Sequence, residues 1–179
     1  MKIQLPPHAK RIIFVNVDGV LTNANRYWLR HLGEGELTNP SAQVLDPTAL
    51  AMLAQFCKKF DAVIIMASAW VIRYPTVADW TALFAEAGVE LPVVDALPMC
   101  SCWQVAAREY MADMPDVDWV LFEDDAFPPP GSQTVVSVNK AVGLTTANLE
   151  LAAEFLAPDS EEFEELRDLN RAFMSSSRY

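Results

Sequence analysis

The chain has 179 residues, 52% of them hydrophobic, and its 13 basic and 24 acidic side chains give a formal net charge of −11. This length suffices for one domain that buries a full core, so we predict a single domain over residues 1–179. The acidic balance argues against binding to long nucleic acid, which depends on neutralising phosphates. No apolar run reaches the ~20 residues of a membrane span, so we expect a soluble, cytoplasmic protein without a membrane partner.

The cysteines Cys57, Cys100 and Cys102 are an odd number, with no second pair that would complete a zinc site. Such usage suits a reducing compartment. The segment Cys100-Ser-Cys102 could belong to a redox or metal centre, but C-x-C lacks the usual ligand spacing. The favoured interpretation is a pair of free thiols near the start of a helix.

The first predicted strand covers residues 11–16 and ends abruptly in polar residues. Its interior is a continuous run of β-branched and aromatic side chains. This pattern is typical of a central strand that delivers functional groups to the carboxyl edge of an α/β sheet. The groups that it delivers are Asn16, Asp18, Gly19 and Thr22.

The segment 23–45 is polar and longer than most connections between elements. It contains the aromatic pair Tyr27 and Trp28, with Gly33 and Pro40 further on. One interpretation is a small lid over a site at the strand ends, since long loops often carry function. The other is an irregular surface loop whose two aromatic side chains pack onto the body of the domain.

Helices and strands alternate through the rest of the chain. A cap followed by proline, Asp46-Pro47, opens the first of the helices predicted over residues 46–60, 77–87, 101–111 and 145–156. Apolar runs predict strands over residues 62–67, 91–95, 119–122 and 134–138. This alternation predicts an α/β, three-layer Rossmann-like fold, with a mostly parallel sheet and helices on both faces.

A last amphipathic helix is predicted over residues 160–175. It is interpreted as packing against its own domain, because amphipathicity is the normal state of a surface helix. A dimer contact is the less favoured alternative, and the sequence fixes no oligomeric state.

Polar groups follow three of the predicted strands: Asn16 with Asp18, then Ser68, then Glu123 to Asp125. Because parallel strands end at the same edge of a sheet, these groups are expected to converge on one crevice. The acidic trio alone would be interpreted as a solvated turn. Beside the other two strand ends, it favours a metal site.

Four stretches resemble motifs of the haloacid dehalogenase (HAD) superfamily. Asn16-Val-Asp-Gly-Val-Leu21 is similar to D-x-D-G-V-L and Ala67-Ser-Ala-Trp70 to S-S-W-R. Phe122-Glu-Asp-Asp125 is similar to L-D-D and Gly143-Leu-Thr145 to G-L-T. The resemblance covers about residues 11–156 and is closest to the compact HAD domains grouped with RNA-repair proteins.

The resemblance implies a HAD-like domain without a full cap and a Mg²⁺-dependent phosphohydrolase that works through an aspartyl-phosphate. The implied partner is a phosphorylated small molecule or a nucleotide, with a nucleic-acid end as a further possibility. Position 16 is then the nucleophile position and Asp18 the general acid and base, with Gly19 and Ser68 as phosphate ligands. The implied Mg²⁺ ligands are Asn16, Asp18, Glu123 and Asp124.

Two positions depart from the family pattern. Asn16 has a neutral amide, which is not a competent nucleophile, so the chain with asparagine is expected to be inactive. The Lys or Arg expected near the start of the helix at 101–111 is absent, although transferring phosphoryl groups normally require cationic stabilisation. Arg73 is the candidate substitute as a phosphate ligand, with Lys140 and Arg108 as weaker alternatives.

Two explanations of Asn16 remain open. One is an aspartate exchanged for asparagine in order to trap substrate, and the preserved surroundings favour this explanation or at least an active ancestor. The main functional hypothesis is therefore a phosphohydrolase that is active when position 16 is aspartate. The other explanation is a natural pseudoenzyme, a non-catalytic protein that binds a phosphorylated ligand or a protein partner.

Overall fold

The computed structural model describes residues 11–24, 40–124 and 134–156. Within them lies a five-stranded sheet in the order β3-β2-β1-β4-β5, in which every pairing is parallel. The strands are β1 Arg11–Val15, β2 Ala62–Met66, β3 Val93–Ala96, β4 Asp118–Glu123 and β5 Val135–Ser137. The predicted α/β fold with a parallel sheet is confirmed.

The helices are α1 Pro40–Val44, α2 Pro47–Phe60, α3 Val77–Glu86, α4 Trp103–Met111 and α5 Thr146–Leu156, with a 3-10 turn at Ala69–Ile72. Local sequence explains several of their ends. Asp46 caps α2 by accepting from the backbone N–H groups of Thr48 and Ala49. Thr76 and Asp79 cap the start of α3 reciprocally.

The two faces of the sheet bury separate apolar clusters because neighbouring side chains along a strand point in opposite directions. Ile13 and Val15 belong to a cluster that contains buried residues of α2, α3 and α5. Ile12 and Phe14 belong to a second cluster that contains buried residues of α4. Helices therefore cover both faces, as the continuous apolar strands predict.

The strand order places the chain reversal between β1 and β4. From β1 the chain moves outwards to β2 and β3, and then returns through α4 to β4 and β5 on the other side. Ligands of open α/β sheets bind at this kind of switch point, outside the carboxyl ends of the strands. A ligand-binding site is therefore expected at the segments that follow β1 and β4.

Several element boundaries differ from the sequence-based predictions. The third strand starts at Val93 instead of residue 91, since Pro92 has no backbone N–H to contribute to the ladder. The helix predicted from residue 101 starts at Trp103. The short helix α1 falls within the segment predicted as a loop, because Pro40 occupies a first helical position, where proline is tolerated.

Some predictions lie outside the described residues, including most of the lid segment (25–39) and the terminal helix at 160–175. The close of the lid segment is described, and there Leu45 is buried. The backbone N–H of Asp46 donates to the carbonyl of Leu21 at 2.7 Å. Within the described ranges, no helix has the length and apolar character needed to cross a membrane.

Candidate functional site

The segment after β1 folds into a tight turn centred on the carbonyl of Val17. This oxygen accepts backbone hydrogen bonds from Leu21 at 2.9 Å and Thr22 at 3.1 Å. The hydroxyl of Thr22, which is fully buried, accepts from the backbone N–H of Gly19 at 3.1 Å. The turn therefore holds its polar side chains on a fixed backbone.

Gly19 lies against Asp124, so it is one of the places where the segments after β1 and β4 meet. Its φ of +69° lies in the left-handed region, which favours glycine. A Cβ atom at this position would lie 2.6 Å from both Cβ and Cγ of Asp124, closer than real side chains approach. This crowding is a structural reason for glycine at position 19, and it is separate from the predicted role of Gly19 in binding phosphate.

Asn16 joins the two strand ends through its side-chain amide. Its Nδ2 atom donates to Oε1 of Glu123 at 2.8 Å and to Oδ1 of Asp124 at 3.1 Å. Its Oδ1 atom accepts from the backbone N–H of Val17 at 2.7 Å. Because each end of the amide has a matching partner, the hydrogen bonds define its orientation.

Asp18 is held by the indole of Trp70, a residue to which the motifs assign no role of its own. The Nε1 atom of Trp70 donates to both carboxylate oxygens of Asp18, at 3.1 Å each. The ring of Trp70 stacks on Tyr74, with centroids 6.1 Å apart and planes inclined by 26°. The only sequence signal was the place of Trp70 in the stretch Ala67–Trp70.

Ser68 and Arg73 lie at opposite ends of the 3-10 turn. Ser68 is fully buried directly after β2 and caps the turn by accepting from the backbone N–H of Trp70 at 3.4 Å. Arg73 is exposed, with its guanidinium 5.7 Å from the centre of the Tyr74 ring. Arg73 is not among the residues that line the pocket described next, and its role as a phosphate ligand stays a prediction.

A pocket of about 350 Å³ opens between the ends of β1 and β4 and the start of α4. No lysine or arginine of the described ranges lines it. Cys102 precedes α4, and its side chain makes no capping hydrogen bond to the first backbone N–H groups of the helix. These groups carry the partial positive charge of the helix start, near the position at which the family motif has a basic residue. The lining residues are Asn16, Asp18, Ala69, Ser101, Cys102, Trp103, Gln104, Glu123 and Asp124.

The cysteines are all free thiols. Burial raises the pKa of Cys100, which keeps this thiol protonated and therefore weakly nucleophilic at neutral pH. Cys102 is exposed at the pocket. These properties agree with the free-thiol interpretation of Cys100-Ser-Cys102.

The oxygen donors of the pocket suit a hard cation such as Mg²⁺, which prefers carboxylate ligands. Asp18, Glu123 and Asp124 supply such oxygens, whereas Asn16 turns its nitrogen towards the carboxylates. Among the described residues, no group of three or more His, Cys, Asp or Glu side chains is arranged to hold a metal ion. The carboxylate oxygens of the pocket fit Mg²⁺, but the NH₂ group of Asn16 occupies the position between Glu123 and Asp124.

The parallel sheet, with an acid-rich pocket at its switch point, is that of a HAD-like α/β domain. A family model described as the HAD domain in Swiss Army Knife RNA repair proteins matches residues 12–149, and the chain belongs to this family. The resemblance inferred from the motifs is thereby confirmed. No match was found among curated proteins or among solved structures.

Proposed function

We propose that this domain is built as a Mg²⁺-dependent phosphohydrolase for phosphomonoesters, with its nucleophile replaced by Asn16. One observation carries the proposal. Asn16, Asp18, Glu123 and Asp124, which come from two distant parts of the chain, line one pocket at the switch point of the sheet. Family membership supports a hydrolase of HAD type.

With aspartate at position 16, the reaction proceeds in two displacements. In the first, the carboxylate at position 16 bonds to phosphorus as the bond to the ester oxygen breaks, and Asp18 gives its proton to the leaving alcohol. In the second, Asp18 takes a proton from water as the water oxygen attacks phosphorus. The aspartyl bond then breaks, which releases inorganic phosphate and restores the carboxylate.

Glu123 and Asp124 are the side chains that would hold Mg²⁺, together with the residue at position 16, which leaves the carboxyl group of Asp18 for proton transfer. The ion would supply positive charge against the phosphoryl oxygens. The start of α4 would add the partial positive charge of its first backbone N–H groups. Ser68 and the backbone around Gly19 are the remaining proposed phosphate contacts, but both residues are buried and neither lines the pocket.

The proposed substrate is a phosphorylated nucleotide or a phosphorylated nucleic-acid end. The family description, which places such domains in RNA repair proteins, supports this class. A terminal phosphate requires contact with a few nucleotides at most. The net charge of −11 disfavours a long run of phosphates, so an end is the better match.

The test compares the chain as it stands with Asn16→Asp in the presence of Mg²⁺. The substrates are an aryl phosphate, a nucleotide panel and short oligonucleotides phosphorylated at the 5′ or 3′ end. The aspartate form is expected to release phosphate at least about a thousandfold faster, because a nucleophile has been restored.

Two control variants accompany this assay. Adding Asp18→Asn to the active form should lower the rate by roughly 10²–10⁴-fold, since a general acid and base is lost. Asn139→Asp makes the same chemical change at an exposed turn and should stay inactive. A folded Asn16→Asp protein that releases no phosphate from any substrate would refute the hydrolase proposal.

A second candidate function is binding without turnover, with asparagine as the native residue. The observation in its favour is that both ends of the Asn16 amide are hydrogen-bonded within the pocket. Calorimetric titration of the chain as it stands with phosphorylated oligonucleotides tests it. Binding that is lost when the terminal phosphate is removed would support this candidate, and equal heats would exclude it.

A further inference from the structure

We infer that the amide of Asn16 takes the place of a cation between Glu123 and Asp124, so that this acidic cluster is held together without a metal ion. A corollary is that Asn16→Asp makes the stability of the fold depend on a divalent cation. This arrangement holds the site together and is separate from the proposed turnover of phosphate esters.

The geometry of the amide supports the inference. The nitrogen of Asn16 lies 2.8 Å from Oε1 of Glu123 and 3.1 Å from Oδ1 of Asp124, so its two hydrogens serve two carboxylates. Oε1 of Glu123 also accepts from the backbone N–H of Asp124 at 3.1 Å. A neutral donor thus links two anionic side chains, as a bridging cation would.

A metal ion that used the Asn16 oxygen would have to break this arrangement. The amide would have to rotate and give up both carboxylate hydrogen bonds. Rotation would also turn its NH₂ group towards the backbone N–H of Val17, which now donates to Oδ1 at 2.7 Å. Two donors would then face each other, so rotation is strongly disfavoured where Asn16 is only 7% exposed.

Aspartate at position 16 would reverse this preference because it has nearly the same shape. One carboxylate oxygen would keep the hydrogen bond from Val17, and the other would replace the amide nitrogen between Glu123 and Asp124. Three carboxylates would then meet where water screens them poorly, since Glu123 is only 6% exposed. A divalent cation relieves this repulsion.

The experiment follows thermal unfolding of the chain as it stands and of Asn16→Asp, each in EDTA and in millimolar Mg²⁺. The melting temperature of the chain as it stands should be the same in both solutions. Asn16→Asp should melt lower in EDTA, by on the order of 5 °C or more, and should recover with Mg²⁺. The matched control Asn139→Asp adds the same charge at an exposed turn and should not respond to Mg²⁺.

A double variant tests the cause of the shift. Adding Asp124→Asn to Asn16→Asp removes one of the three carboxylates and supplies an amide donor again. It should raise the melting temperature in EDTA and reduce the response to Mg²⁺. A double variant that responds to Mg²⁺ as fully as Asn16→Asp would refute the bridging role, as would Mg²⁺ stabilisation of the asparagine form equal to that of the aspartate form.

A measurement on the chain as it stands keeps the inference testable if Asn16→Asp does not fold. The side-chain NH₂ resonances of Asn16, assigned by their loss in Asn16→Ala, should exchange slowly with water and stay unmoved by Mg²⁺. Resonances that shift on Mg²⁺ addition, or that exchange as fast as those of exposed Asn139, would overturn the inference. Mg²⁺-dependent stability without phosphate release by Asn16→Asp would reject only the proposed hydrolase.

Discussion

At the scale of single residues, the site depends on side chains that orient the acidic groups. Asp18 receives the indole N–H of Trp70 at 3.1 Å on each oxygen, and Trp70 in turn stacks on Tyr74. A carboxylate that passes a proton between two partners must keep its position, because misplacement lowers the rate steeply. Trp70 is therefore a positioning residue for the proposed reaction.

Trp70→Phe, made in the Asn16→Asp background, keeps an aromatic ring but removes the N–H donor. A hydrogen bond to a charged group contributes about 1.5–3 kcal/mol, so kcat should fall roughly tenfold or more. KM should change little, since Trp70 does not line the pocket. The measurement is steady-state phosphate release.

The control for this substitution is Trp119→Phe, which changes a tryptophan packed edge-on against Phe14 on the α4 face of the sheet. It should leave kcat nearly intact. If both tryptophan variants lose kcat to the same extent, the positioning role of Trp70 is wrong and general destabilisation explains the loss.

At the scale of elements, the close approach of the β1 and β4 segments is tested by Gly19→Ala. A left-handed backbone costs alanine about 1–2 kcal/mol, and here its Cβ would also lie 2.6 Å from carbon atoms of Asp124. Gly88→Ala is a matched control, since Gly88 also has a positive φ, of +83°, and nothing lies within 4 Å of the added Cβ. The measurement is urea unfolding.

Gly19→Ala should lower the free energy of unfolding by at least about 1 kcal/mol more than Gly88→Ala does, because only the former meets a neighbouring segment. The difference between the variants isolates the contact with Asp124 from the backbone strain that both share. Equal losses would mean that the two segments are free to move apart.

The sheet and the meeting of its strand ends could be predicted from sequence because apolar strands with polar ends are a local pattern. Asn16, Asp18, Glu123 and Asp124 follow from that pattern together with parallel pairing. The hydrogen bond from Trp70 to Asp18 could not be predicted, because it depends on where a side chain of the 3-10 turn points. The sequence does not predict helix α1, because proline interrupts a helix in its interior but is also common at the first helical position.

At the scale of the whole molecule, the core contains a thiol that links stability to pH. Cys57 lies in α2 and is 2% exposed, and burial raises its pKa from 9.0 to about 12. Above pH 9 the unfolded chain therefore releases this proton before the folded chain does. The thiol's contribution to stability is complete below pH 9 and is lost as the pH rises towards 12.

Across that window the free energy of unfolding should fall by up to about 1.4 kcal/mol per pH unit from this group. Cys57→Ala should show a shallower fall, although its stability at pH 7 is lower because a small cavity is left. Burial also raises the pKa of Tyr110, but Tyr110 is common to all variants and cancels in the comparison. The measurement is urea unfolding at several pH values.

Cys102→Ala is the control for the alkaline series because it removes an exposed thiol. The slope of its free energy of unfolding against pH should match that of the unaltered chain. If Cys57→Ala and the unaltered chain lose stability in parallel between pH 9 and 12, the linkage to Cys57 is wrong.

The side-chain amide of Asn16, which donates to both Glu123 and Asp124, also has a consequence for how the site evolves. Codons for asparagine and aspartate differ by a single base, so the two forms of the site are one mutation apart. Because the asparagine form donates a hydrogen bond to one oxygen of Glu123 and to one of Asp124, we expect an exchange of aspartate for asparagine to cost the fold little. Selection for stability alone would therefore not remove asparagine from a lineage, and a return to aspartate would require a cell that supplies the ion.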